Sequence, residues 1–204
     1  MISDLLAQLV AAWRNTSWVE LAAAALAVVY LLLAIRQRLE CWVAAFVSSC
    51  LYVWVLFGAH LYMESALNAF YAAMAVYGFL QWRRQGGAPR AVCRWPVARH
   101  AAGLLGVLTL SLLSSQLLRR YTQAAWPTAD SMVTWSSVFA TFLVARKVYE
   151  NWHWWLVIDS VSLWLCYSRR LYLTMLLFAL YLVLIVIGMR HWRRTPPSAA
   201  YAAG

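Results

Sequence analysis

The sequence predicts an all-α membrane protein: seven transmembrane helices, set out as two parallel bundles of three joined by one connecting helix. Three observations carry that prediction: the balance of apolar and charged residues, the spacing of the apolar runs, and a repeat at one ungapped offset. Only 12% of the 204 residues are charged and 64% are hydrophobic, with a mean hydropathy of +0.64, whereas soluble domains carry roughly 25% charged residues. A bilayer is the solvent that fits such a chain.

Runs of roughly 17 to 22 apolar residues suffice to cross a hydrocarbon core about 30 Å thick. They fall near residues 18–35, 41–58, 61–81, 100–118, 130–145, 151–168 and 171–190. The first reads as a span rather than a cleavable signal, because no small-residue cleavage site follows a charged start. Ahead of it, within residues 1–17, DLLAQLVAAW is amphipathic and suited to the interface. The fourth run, AAGLLGVLTLSLLSSQLL, is poor in aromatics and flanked by Arg99 and Arg119. The fifth is short and needs Ser131, Thr134, Ser136 and Ser137 to be buried against protein. Between spans three and four, RRQGGAPRAVCRWPVAR has the Gly, Pro and Arg content of a linker. Residues 195–204, TPPSAAYAAG, read as a loosely ordered tail.

The net charge of +10 raises the question of a nucleic-acid partner, but the arginines gather at span ends and none is expected. Seven crossings put the termini on opposite sides. Arg14, Arg119, Arg120, Arg169 and Arg170 lie with the N-terminus, and the other twelve basic residues lie with the C-terminus. Basic residues accumulate on the cytoplasmic side, so the C-terminus is expected in the cytoplasm and the N-terminus outside.

Sliding the chain by 110 residues brings Arg36, Glu40, Trp42 and Val47 over Arg146, Glu150, Trp152 and Val157. Farther on, Trp54, Tyr71, Gly78, Trp82, Arg83 and Arg84 fall over Trp164, Tyr181, Gly188, Trp192, Arg193 and Arg194. Compositional bias produces scattered Leu and Ala matches, not R…E.W and G…WRR in one register. Each repeat holds three spans, so the second starts four crossings after the first and the two run parallel. The expected organisation is an N-terminal segment 1–17, a first repeat 18–84, a linker and connecting helix 85–127, a second repeat 128–194, and the tail 195–204. Parallel repeats of this kind are a transporter architecture, with the solute held between halves near the midplane.

The candidate site comes from ENWHWWLVID, Glu150 to Asp159. At about 100° per residue, Trp152, Trp155 and Asp159 share an arc of about 60°, while Trp154 points away as an interfacial anchor. Asp159 lies about 13 Å along the helix from Glu150, near the middle of the hydrocarbon. A carboxylate there costs about 2.5 kcal/mol or more. The other six acidic residues fall at or near span ends. Indole faces beside a carboxylate suit a flat, cationic solute, although an Asp hydrogen-bonded to a neighbouring helix is the plainer reading. At the offset of 110, Trp155 and Asp159 correspond to Ala45 and Ser49, so the scaffold is shared between repeats and the candidate site is not.

W-x-x-W-x-x-x-D at Trp152, Trp155 and Asp159 resembles the signature of the PnuC family of bacterial vitamin transporters. ENW at Glu150 to Trp152, LY at 171–172 and 61–62, YLVL from Tyr181, and Gly188 resemble it too. The resemblance spans roughly residues 18–194. It implies a 3+1+3 fold similar to the SWEET arrangement, assembly as a homotrimer, and facilitated diffusion of nicotinamide riboside across the bacterial inner membrane. Phosphorylation in the cytosol would draw the uptake, and no cofactor is implied. Asn68 stands where the family often has glutamine, and Arg169–Arg170 where it commonly has lysine-glycine. Sister groups carry thiamine or riboflavin, which leaves those vitamins as alternatives.

The expected solute-binding residues are therefore Trp152, Trp155, Asp159, Asn68, Asn151 and Tyr181. Other classes fit less well. A retinal protein needs a buried lysine in a span, and the one lysine, Lys147, falls in a loop. No phosphate-cradling G-x-x-x-x-G-K-[ST] loop occurs. A proton relay needs several intramembrane ionisable groups. His60, His100, His153 and His191 lie near span ends, unlike a hydrolase base. Cys41, Cys50, Cys93 and Cys166 have no metal-ligand spacing. A non-transporting membrane structural protein is the remaining competitor.

Overall fold

A computed structural model describes residues 16–58, 62–84, 92–121 and 126–194. The interfacial segment, most of the linker's Gly/Pro stretch, His60 and the tail lie outside the described residues. Seven helices run through the described chain: α1 Trp18–Ile35, α2 Cys41–Gly58, α3 Tyr62–Arg84, α4 Val97–Tyr121, α5 Pro127–Ala145, α6 Asn151–Ser168 and α7 Tyr172–Arg193. Each coincides with an expected apolar run. Four of them (α1, α2, α4 and α7) are long and apolar enough to cross a membrane on length and composition alone.

The helix ends follow from local chemistry. Ser17 caps α1 in a capping box: its hydroxyl accepts from the Glu20 N–H at 3.2 Å, and the Glu20 carboxylate accepts from the Ser17 N–H at 2.7 Å. Pro127 opens α5, where the missing N–H is no loss. Helices α1 and α5 end alike. Arg38 N–H donates to the Leu33 carbonyl at 3.0 Å and Val148 N–H to that of Leu143 at 2.9 Å. Gln37 and Lys147 each take φ of 54°, the left-handed turn that lets those bonds close. The next helices then start with matching bonds, Cys41 N–H to Arg38 and Asn151 N–H to Val148. Every one of these pairs is separated by 110 residues.

Packing carries the same pattern. Helix α2 packs on α1 and α3, and α6 packs on α5 and α7. The two halves meet through α3 against α5 and α1 against α7, and α4 packs on α5 alone among the described helices. Trp42 and Trp152 are each 2% exposed and lie over Gly78 and Gly188. A Cβ on Gly78 would stand 2.5 Å from the Trp42 ring, and one on Gly188 would stand 2.4 Å from that of Trp152. Glycine is what lets each indole sit flat on the facing helix. Trp82 meets Trp42 edge-on at 5.5 Å, and Trp192 meets Trp152 edge-on at 5.3 Å. These four tryptophans, with Cys41, Ala34, Ala145 and Ile185, form the core. It sits toward the arginine-rich end of the helices.

Helix α5, expected to be short, runs 19 residues, and its polar face is covered: Ser131, Ser136, Ser137 and Thr141 are all buried. Ser111 of α4 donates to the Ser131 carbonyl, and Trp135 donates its indole N–H to Ser114. Apolar side chains such as Leu105, Leu112, Leu113, Val157 and Val183 face outward, as a lipid-bathed surface requires. At the end opposite the arginine-rich one, Arg169 forks onto Asp130 with two contacts of 2.8 Å, fastening α6 to α5.

The linker docks on the second half. Cys93 and Val148 form a parallel bridge, with Cys93 N–H donating to Lys147 and Tyr149 N–H donating back to Cys93. Trp95 N–H donates to the Glu150 carboxylate at 3.2 Å. The Arg94 guanidinium lies 4.5 Å from the Tyr149 ring. Burial pushes the Cys93 thiol above its ordinary pKa. The equivalent loop of the first half instead borders an open cleft of about 500 Å³ beside Arg36, Arg38, Glu40 and Phe79.

Candidate functional site

Asp159 is the ninth residue of the eighteen in α6, so it stands at mid-helix. It is 4% exposed and takes no hydrogen bond from any described residue. Ionisable groups are rarely buried at mid-helix in a spanning segment, so the position of this carboxylate calls for a cause. Tyr71 of α3 and Tyr181 of α7 both lie within electrostatic reach of it. Tyr71 is hydrogen-bonded to Ser137 of α5 and neighbours Tyr30 of α1, and Tyr181 neighbours Tyr52 of α2. Tyr71 and Tyr181 thus approach Asp159 from α3 and α7, with Ser137 of α5 behind Tyr71, while Tyr30 of α1 and Tyr52 of α2 lie one neighbour farther out.

The sequence-selected residues divide into two groups. Asp159 and Tyr181 come together across α6 and α7. Trp155 is partly buried against the core, one turn before Asp159 on the same face of α6. Asn68 is half-exposed one turn before Tyr71 on α3, with its amide N–H donating to its own helix at Glu64. Trp152 and Asn151 sit elsewhere. Trp152 is enclosed by Gly188 and Trp192, so its faces are taken up by protein. Asn151 is fully buried, and its amide donates to the Val148 carbonyl within the α5–α6 loop. Both belong to the framework that sets the start of α6.

Trp154 points away from that face as expected and is partly buried. It packs edge-on against Phe139 at 4.9 Å and covers Leu143 and Val148. The linker and α5 reach the position that an isolated helix would leave to the bilayer surface.

Sequence reasoning passed over Tyr71, Tyr30 and Tyr52. The signal for Tyr71 was present, since it is the residue 110 before Tyr181. Tyr30 corresponds instead to Ala140 and Tyr52 to Ser162, so no repeat argument selects them. The cleft beside Arg36 is remote in sequence and helix position from Asp159 and contains none of these residues.

The described residues thus bring a carboxylate, two phenols and the Trp155 indole from both halves toward mid-helix. A crystal structure of the vitamin B3 transporter PnuC has the same fold, with a TM-score of 0.73 at 21% identity over 95% of this chain and 88% of the other. The riboflavin/roseoflavin transporter RibM of Streptomyces davaonensis is 28% identical over 191 residues, covering 88% of this chain and 86% of RibM. The nicotinamide riboside transporter PnuC of Escherichia coli is 23% identical over 205 residues, covering 87% of this chain and 86% of PnuC. The family model described as nicotinamide mononucleotide transporter matches residues 17–194, which takes in all seven helices. The chain belongs to the nicotinamide mononucleotide transporter family of multi-pass membrane proteins.

Proposed function

We propose that the protein is a uniporter that admits nicotinamide riboside through the bacterial inner membrane. The observation that carries this reading is the buried Asp159 carboxylate with no hydrogen-bond partner, beside Trp155 and between Tyr71 and Tyr181. A pyridinium cation supplies the missing countercharge and presents a flat face to the Trp155 indole, an attraction worth on the order of 1 kcal/mol or more when desolvated. Tyr181, Tyr71 and the carbonyl oxygen of Asn68 offer partners for ribose hydroxyls. Trp152 and Asn151 act through the position of α6. The solute enters at the end with few arginines, and the halves rock about the site to release it at the other.

The matching loops, matching Trp–Gly contacts and common offset of 110 support two parallel repeats in a SWEET-like 3+1+3 plan. The distribution of arginines supports an external N-terminus and a cytoplasmic C-terminus. Assembly as a homotrimer, implied by the family resemblance, belongs to the same proposal. Asp159 stands as a single carboxylate rather than a relay, so transport only equilibrates the solute, and accumulation depends on phosphorylation inside.

A second reading has its own support: RibM, at 28% identity, is a riboflavin/roseoflavin transporter. Riboflavin is neutral and would leave Asp159 uncompensated. Uptake of radiolabelled solute into proteoliposomes separates the two. The proposal expects nicotinamide riboside to equilibrate at the same rate with or without proton and sodium gradients, and Asp159→Asn to slow it by about tenfold or more at solute levels below saturation. Riboflavin uptake that survives Asp159→Asn would give the site to the neutral vitamin.

A further inference from the structure

The two halves are fastened to each other at the arginine-rich end by a symmetric pair of indole–carbonyl bonds. Trp82, near the end of α3, donates its Nε1–H across the interface to the Ala145 carbonyl at the end of α5, at 3.1 Å. Trp192, near the end of α7, donates back to the Ile35 and Ala34 carbonyls at the end of α1, at 3.1 and 3.2 Å. Trp82 and Trp192 are 110 apart, as are Ile35 and Ala145. Both indoles are almost wholly buried. All three acceptors are last-turn carbonyls; Ile35 and Ala145 are the final residues of their helices, while the Ala34 carbonyl also accepts from the Gln37 N–H.

These bonds lie on α3–α5 and α1–α7, the only two helix pairs through which the described halves touch. Each donor is braced within its own half by the edge-on partner, Trp42 or Trp152, that rests on Gly78 or Gly188. The bracing is stiff within a half, and the bond itself crosses between halves. That is the arrangement of a clasp rather than of general core packing. The Lys147 ammonium also lies 4.4 Å from the Trp82 ring.

We propose that Trp82 and Trp192 form the gate at the arginine-rich end, and that opening this end to release solute requires both indole–carbonyl bonds to break. The inference rests on the transporter reading and adds the elements that must part. Closed clasps seal the solute cluster from that end. Their loss shifts the population toward the open state by roughly five- to tenfold per bond, the factor expected for one net hydrogen bond.

Cys41 is a native reporter, since it is fully buried in the same cluster as both clasps. Cys166 lies near the far end of α6 and is also buried. The experiment measures maleimide modification of each cysteine, as the sole thiol, in detergent-purified full-length protein carrying Trp82→Phe, Trp192→Phe or both. Phenylalanine keeps an aromatic ring and removes the donor. The proposal expects Cys41 to react at least fivefold faster in each single variant and faster still in the double, with Cys166 unchanged. Equal rates at Cys41, or a parallel rise at Cys166, would overturn it by showing no gate or a general loosening. Should the double variant fail to fold, the single variants decide, each keeping one clasp. Riboside binding measured on the parent protein is a separate readout, so failure of the solute assignment and failure of the gate are distinguishable.

Discussion

A buried carboxylate halfway along α6, with no hydrogen-bond partner among the described residues, lowers the stability of the empty protein. Replacing it by a neutral isostere removes the cost of burying the charge, which for unpaired groups amounts to a few kcal/mol. Asp159→Asn is therefore expected to leave the melting temperature of the ligand-free protein unchanged or raised by a few degrees, read by thermal unfolding in detergent. The same substitution is expected to weaken nicotinamide riboside binding about 30-fold, the worth of roughly 2 kcal/mol from one charged contact. Gain of stability with loss of binding is the signature of a residue kept for function. A structural Asp would show the reverse, with stability falling and binding following it. Tyr71→Phe is expected to weaken binding more mildly, by about fivefold, because it removes one neutral hydroxyl.

At the scale of elements, the two Trp–Gly contacts dominate. A Cβ added at Gly188 meets the Trp152 ring at 2.4 Å, and one at Gly78 meets the Trp42 ring at 2.5 Å. Neither ring can retreat, since each is held edge-on by Trp192 or Trp82. Gly188→Ala and Gly78→Ala are each expected to destabilise by about 1–3 kcal/mol through overpacking. Gly106→Ala in α4 meets nothing within 4 Å and is expected to be neutral or to stabilise by up to about 1 kcal/mol. Thermal unfolding of the three variants checks the contrast. All seven helices were legible in the sequence, but for different reasons. Helices α1, α2, α4 and α7 announce themselves by hydropathy. Helices α3, α5 and α6 are diluted by groups such as Glu64, Ser137 and Asp159, yet their apolar runs are still long enough to be read, and the repeat agrees with them. The helical wheel put Trp152 and Trp155 on one face and could not tell them apart. What separates them is depth, set by Gly188 arriving from α7. The docking of Cys93 and Trp95 on the α5–α6 loop was equally hidden, since a bridge between residues 93 and 148 leaves no local pattern.

At the scale of the whole molecule, two similar halves meet through α3–α5 and α1–α7 among the described helices. The proposed direction in the bilayer rests on the distribution of arginines. In a cysteine-free background, a cysteine at Arg120 is expected to react with an impermeant maleimide applied to the outside of intact inner-membrane-exposed cells, and a cysteine at Arg193 only after permeabilisation. The opposite pattern would invert the topology while leaving the fold intact. The central claim is that Asp159 and Trp155 mark a solute site between the halves, and isothermal calorimetry of the purified protein tests it most directly. Nicotinamide riboside, riboflavin and thiamine would each be titrated into the parent protein, Trp155→Ala and Asp159→Asn. The account predicts binding of the riboside to the parent, weakened about tenfold or more in each variant, and no comparable heat from the other two vitamins. Riboside binding that is unchanged in both variants would contradict it, because the solute would then lie away from Asp159.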